Sequence, residues 1–273
     1  MSQIRSDETR ASSGLGGQLD ALDLSLFDAI ESQSSPGDKR SLLACQVATR
    51  TLSPGYRYLE IGSYLGGSIQ PFIVDPTCTQ VVSIDKRPPK QPDNSGQTIR
   101  FQNNTTARMI ANLQSLPGAD LNKLTCVEGE VSNLVPQQTV NDPVQLCFID
   151  GEHTDGAAIA DYDFCAEAVG DRGAIIFHDA QIIYHALGAI VDSLSRSGRQ
   201  FHAYNLPDVI FVIELGDFSL HRHHLIARML VDNHVGYLAS LKRNDHFRRW
   251  SNLEPLRTIR ALKSRFDGTS SSA

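Results

Sequence analysis

Residues 144–180 read VQLCFIDGEHTDGAAIADYDFCAEAVGDRGAIIFHDA. The apolar run Leu146 to Ile149 has the length of a strand buried on both faces, and Gly151 follows it closely. The stretch from Asp155 to Val169 has helical character, and Thr154 or Asp155 supplies its N-cap. Ala174 to Phe177 then repeat the apolar run. Strand, helix and strand at this spacing predict a parallel crossover, because parallel neighbours need a long connection. Both strands end in ionisable groups. Asp150, Glu152 and His153 follow the first, and His178 and Asp179 follow the second. Ligands of open parallel sheets bind beyond the carboxyl ends of the strands, so these ends predict a site.

The same alternation extends outward. YRYLEIG (56–62), QVVSID (80–85) and LTCVEG (124–129) read as strands, while TTARMIANLQSL (105–116) and IIYHALGAIVDSLS (182–195) read as helices. GGSIQPFIVD (66–75) reads as a helix interrupted or begun near Pro71. Near the end, RQFHAYNL (199–206) and DVIFVIEL (208–215) have no helix between them, which allows an antiparallel hairpin but no parallel crossover. The expectation is an α/β, doubly wound, mostly parallel seven-stranded sheet with an antiparallel last strand and helical additions at both ends. The expected organisation is a disordered start (1–17), N-terminal helices (18–54), the sheet domain (55–216), a C-terminal helical extension (217–266) and a disordered tail (267–273).

The chain has 273 residues and a net charge of −6, which argues against nucleic acid as a partner. Five scattered cysteines give neither a disulfide framework nor a Cys-x-x-Cys zinc pair. MSQIRSDETRASSGLGG (1–17) lacks the apolar core of a signal peptide, and no apolar run approaches the ~20 residues that cross a bilayer. A cytoplasmic protein with no membrane partner is the expectation. Oligomeric state stays open, a homo-oligomer included.

The first strand runs into EIGSYLGGS (60–68), whose glycines allow a tight turn and close approach of backbone to a ligand. The second ends in Asp85, an acid of the kind that receives ribose hydroxyls. Tyr64 breaks the Gly-x-Gly-x-x-Gly pattern of a dinucleotide site. Glu60 beside the turn would repel a pyrophosphate and suit a cation. S-adenosylmethionine carries an ammonium and a sulfonium and no phosphate, and the charge logic selects it over NAD.

EIGSYLGGS is similar to the first motif of class I S-adenosylmethionine-dependent methyltransferases. It most resembles the small-molecule O-methyltransferases, of the catechol type and of bacterial sugar and secondary-metabolite modification. The resemblance spans roughly residues 56–215 and includes SIDKRP and VEGEVSNLVPQ in the family's order. It implies cofactor contacts at Glu60, Gly62, Ser63, Tyr64, Gly66, Ser68, Asp85, Gly129, Glu130, Val131 and Asp150, with Gly129 to Val131 framing the adenine. It implies a small-molecule methyl acceptor.

Methyl transfer to oxygen needs alignment and removal of a proton, by a base, by a divalent cation that acidifies the hydroxyl, or by both. Carried over by position, the metal ligands of that family fall on Asp150, His178 and Asp179. His178 departs from the usual oxygen ligand there and suits a softer ion than magnesium. Metal-dependent and metal-free chemistry both stay open. His153 is favoured as the base because imidazole titrates near neutrality, and Glu152 is the rival. Two other readings stand beside this one: a non-catalytic S-adenosylmethionine-binding module, and an N-methyltransferase.

Overall fold

Strands buried on both faces need unbroken apolar runs. In the computed structural model, Leu146–Ile149 and Gly173–Phe177 are buried along their whole length. The structure describes residues 14–94, 98–140 and 142–251. The expected tail 267–273, and the expected disordered start as far as residue 13, lie outside the described residues. Leu15–Gly17, expected to be disordered, instead open the first helix.

In chain order the elements are α1 (Leu15–Asp20), α2 (Pro36–Leu52), β1 (Arg57–Ile61), α3 (Gln70–Ile73), β2 (Gln80–Asp85), β3 (Lys90–Pro92), β4 (Thr98–Arg100) and α4 (Thr106–Gln114). They continue with β5 (Leu124–Glu128), α5 (Pro136–Thr139), β6 (Leu146–Ile149), α6 (Asp155–Val169), β7 (Gly173–Phe177) and α7 (Tyr184–Ser197). Last come β8 (Phe201–Asn205), β9 (Phe211–Leu215), α8 (His224–Met229), β10 (Asp232–Asn233) and α9 (His234–Ser251). The described residues up to His234 form one compact unit; the described part of the second, from Val235, lies in the polar helix α9.

The main sheet has the order β10-β8-β9-β7-β6-β1-β2-β5. β5, β2, β1, β6 and β7 run parallel, and β9 enters antiparallel between β7 and β8. The fold is therefore α/β and mostly parallel, with the predicted reversed hairpin. The strand count is corrected from seven to eight, because Asp232–Asn233 pair with Tyr204 and Asn205 at the edge. Two polar residues carry no period-2 pattern that a sequence could reveal. A second small sheet, β3 with β4, stands apart from the first.

Helix α2 is buried from Ser41 to Thr49, so it belongs to the core, with Leu42, Leu43 and Val47 facing the same cluster as Tyr58 and Phe72. Tyr58 and Phe72 stack at 3.6 Å between ring centroids. Burying a side chain the size of Phe72 stabilises the fold by roughly 1.5–3 kcal/mol. The helix predicted after β1 shrinks to the single turn of α3. The leucine-rich segment near residues 19–32 is likewise not one helix. Leu22 takes a φ of 52°, and Asp23 accepts from the Ser25 backbone to start a separate 3-10 turn, Leu24–Phe27. Short polar side chains compete with helix continuation in this way.

Candidate active site

The carboxyl ends of β1, β2 and β6 open onto one crevice. Its wall includes Ser63, Tyr64, Ser68, Asp85, Asp150 and His153. Glu31 to Ser34 close it from the N-terminal side, and Gln91, Ile99 and Phe101 close it from the β3–β4 hairpin. The hairpin is fastened to the site, since the Asn94 N–H donates to the His153 carbonyl at 2.9 Å. The wall residues carry three acids, Glu31, Asp85 and Asp150, beside one imidazole, His153, and among those described there is no Lys or Arg. Such a wall favours a cationic, phosphate-free ligand.

Glu60, the residue on which the charge argument was built, does not stand on this wall. It is fully buried beneath it, accepts from Ser68 Oγ at 2.6 Å and from the Tyr58 hydroxyl, and burial pushes its carboxyl up to about 7. Glu60 therefore orients Ser68, and the wall's own negative charge comes from the other acids. The glycines make the expected turn, with positive φ at Gly62 and Gly66, and they also make room for protein. A Cβ on Gly62, whose φ is +90°, would stand 2.1 Å from the Asp150 carbonyl oxygen. A Cβ on Gly67 would stand 2.5 Å from Ser32 Cβ. Both give way to protein, bringing β6 and the N-terminal segment against the turn. Gly66 packs on Met109 and Leu113 and is not among the wall residues.

Asp85 accepts from the Tyr64 N–H at 2.9 Å and from the Arg87 N–H at 2.7 Å, which sets the turn after β1 against β2. Tyr64 has a φ of 44° and packs its ring on Phe101 at 5.3 Å. A second hollow begins at the next residue and is lined by Lys86, Glu130, Val131, Glu152 and Asp161. Gly129 sits at its approach, its N–H donating to the Asp85 carbonyl at 3.2 Å.

Glu152 faces this second hollow. It pairs with Lys86 Nζ at 2.5 Å and accepts from Thr154 Oγ1 at 3.0 Å. Burial opposes its ionisation, but Lys86 and Thr154 outweigh that and hold the carboxyl below its ordinary range. The structure thus removes Glu152 from the group that carries His153. A salt bridge to Lys86, sixty-odd positions away in sequence, left no local trace.

Four side chains do converge at the ends of β6 and β7: Asp150, His153, His178 and Asp179, with one ligand atom of each lying within 4.8 Å of the others. His178 Nδ1 is 3.1 Å from Asp150 Oδ1 and 3.1 Å from Asp179 Oδ2. His153 Nε2 is 3.4 Å from the same two oxygens. Burial disfavours charge on Asp150, His153 and His178, yet the pairing wins. Asp150 is held well below the ordinary carboxylate range by His178 and His153. His178 is held well above the ordinary imidazole range by Asp150, Asp179 and Asp38, and His153 is raised by Asp150 and Asp179. Asp179 adopts a φ of 50°, and left-handed backbone at a non-glycine residue costs on the order of 1–3 kcal/mol. Two carboxylates and two imidazoles form a mixed oxygen and nitrogen donor set that fits a divalent ion such as zinc, iron(II) or manganese better than magnesium.

The sequence reading missed Asp38, Lys86, Asp161 and the wall Glu31 to Ser34. Asp38 had a legible local role, since Ser35-Pro36-Gly37-Asp38 spells a capping box, but nothing connected it to His178.

Residues 59–180 match a family described as a methyltransferase domain. That stretch, from β1 to just past β7, is thus similar to a methyltransferase domain. No curated protein matches the chain by sequence. Among solved structures, the O-methyltransferase NovP is similar at 11% identity and a TM-score of 0.51, over 64% of this chain and 78% of that one. The O-methyltransferase TomG from Streptomyces achromogenes, solved with S-adenosylmethionine, is similar at 14% identity and a TM-score of 0.48, over 79% of this chain and 99% of that one. At these identities the likeness concerns the fold. No helix among the described residues is long and apolar enough to cross a membrane.

Proposed function

We propose that the protein transfers a methyl group from S-adenosylmethionine to a hydroxyl of a small acceptor, at the convergence of Asp150, His153, His178 and Asp179. The observation that carries this reading is that two members of that group, Asp150 and His153, line an acidic, phosphate-averse crevice. Asp85 receives the ribose, and Glu130 and Val131 border the base. Ser63 and Ser68 face the amino-acid end of the cofactor, with Glu60 behind Ser68. The acceptor hydroxyl attacks the sulfonium methyl in line; the carbon–sulfur bond breaks as the carbon–oxygen bond forms, leaving S-adenosylhomocysteine.

The hydroxyl proton passes to His153. A protonated imidazole cannot accept it, and Asp150 and Asp179 favour that protonated form. Neutralising those carboxylates frees His153 to act as the base. Asp150, His178 and Asp179 are the residues that would hold a divalent cation, which when bound supplies that neutralising charge and acidifies the hydroxyl. The polar wall of Glu31 to Ser34, Gln91 and Asn104 suits a polyhydroxylated acceptor.

Calorimetric titration with S-adenosylmethionine tests the reading first, and absence of binding at millimolar ligand would end it. Turnover on a panel of sugar and phenolic hydroxyls, read by mass spectrometry, tests the chemistry. Unchanged turnover in both His153→Gln and Asp150→Asn would refute the assignment of this group.

A further inference from the structure

Only one face of His178 is used by the centre just described. Nδ1 faces Asp150 and Asp179, whereas Nε2 points inward, is buried and makes no aligned hydrogen bond among the described residues. Asp38 Oδ2 stands 3.3 Å from Nε2. Asp38 is 4% exposed and stands in the first turn of α2, outside the matched domain segment. It is held from two sides. Its Oδ2 accepts from the Ser35 N–H at 3.0 Å, closing the capping box, and its Oδ1 accepts from the Val209 N–H at 3.2 Å, in the turn between β8 and β9. A capping acid can do its work at the surface, where its charge is solvated. Burying one is costly unless a partner charge offsets it, and His178 is that partner.

We infer that Asp38 is a positioning residue for the proposed metal centre: it holds the proton of His178 on Nε2 and fixes the ring so that Nδ1 is presented to the ion between Asp150 and Asp179. A neutral imidazole carries one proton, and a carboxylate at one nitrogen leaves the other free to ligate. The first turn of α2 thereby acts on the centre through His178, with no contact to the ion. This inference rests on the metal reading above, and its test separates the two.

The full chain, stripped with chelator, is titrated with cobalt(II) alone, followed by visible absorption and calorimetry, with S-adenosylhomocysteine binding measured in parallel. Asp38→Ala is expected to weaken cobalt affinity by about 10–100-fold, the usual effect of losing an outer partner of a ligand, while cofactor-product affinity stays within about twofold. Asp38→Asn, a gentler change should the alanine variant fold poorly, is expected to lose at least several-fold. Ser35→Ala breaks the same helix cap but leaves the carboxylate on His178, and is expected to bind cobalt like the parent. Parent-like affinity in the Asp38 variants, or an equal loss in Ser35→Ala, would overturn the inference. If His178→Ala loses cobalt and Asp38→Ala does not, the positioning role falls and the metal centre stands. If the parent binds S-adenosylhomocysteine but no cobalt, the metal reading falls and takes this inference with it.

Discussion

At the scale of single residues, the site is governed by which charges face each other across two strand ends. His153 and His178 share the oxygens of Asp150 and Asp179, so each imidazole holds the others in place and each is held charged. Glu152, adjacent to His153, is diverted to Lys86. Replacing His153 with Gln keeps a polar side chain but removes the base. The expected outcome is a fall in kcat of roughly 10²–10⁴-fold, typical of losing a general base. S-adenosylhomocysteine affinity, read by calorimetry, should change by less than about threefold. Gly62 makes the opposite kind of prediction. Its φ of +90° and the 2.1 Å approach of Asp150 oxygen leave no space for a methyl group. Gly62→Ala should cost at least about 1–3 kcal/mol, as overpacking does, and lower the melting temperature by several degrees.

At the scale of elements, helix α6 ties the chemistry to the core. Thr154 caps it by accepting from the Ala157 N–H at 3.3 Å, and its hydroxyl donates to Glu152. Asp155 accepts from the Ala186 N–H at 3.0 Å and so steadies the start of α7. One turn of chain thus positions His153, diverts Glu152 and anchors two helices. Thr154→Ala should cost about 1 kcal/mol, a drop of roughly 2–4 °C in a melting curve. Thr154→Ser, which keeps the acceptor, should recover most of it. Legibility at this scale was uneven. The long crossover helices and the reversed hairpin follow from period and spacing alone. The single turn of α3, the broken α1 segment and the β3–β4 hairpin do not, because each depends on local side-chain bonds or on contacts with distant chain.

At the scale of the whole molecule, buried ionisable groups set the response to pH. Burial pushes Asp161 up to about 7 from 3.8 and Glu60 up to about 7 from 4.5. Each carboxyl therefore binds its proton more tightly in the folded chain than in the unfolded one. The stability this contributes is present in full below about pH 4 and is lost as pH rises through 7. His153 and His178, raised by their carboxylates, change stability in the same direction, because their contribution is lost above their folded pKa. Asp38 and Asp150, held low, work the other way, but their contribution is already complete near neutrality. Urea melts between pH 5.5 and 8.5 should show stability falling toward the alkaline end. Asp161→Asn should flatten that fall by about 2 kcal/mol, the part of its linkage that lies between pH 5.5 and 7. A variant with the parent's slope would show that Asp161 is not the titrating group.

Local pattern alone determined the parallel sheet, its crossovers, its reversed hairpin, and the fact that Asp150, His153, His178 and Asp179 end neighbouring strands. Burial leaves a periodic imprint along a chain, and strand ends inherit their place from it. Only the tertiary structure decided that Glu60 lies beneath the crevice, that Glu152 leaves for Lys86, and that Asp38 arrives from α2 behind His178. Those choices turn on charges meeting across long sequence separations, where the energy of a pair depends on distance and burial that no local window contains.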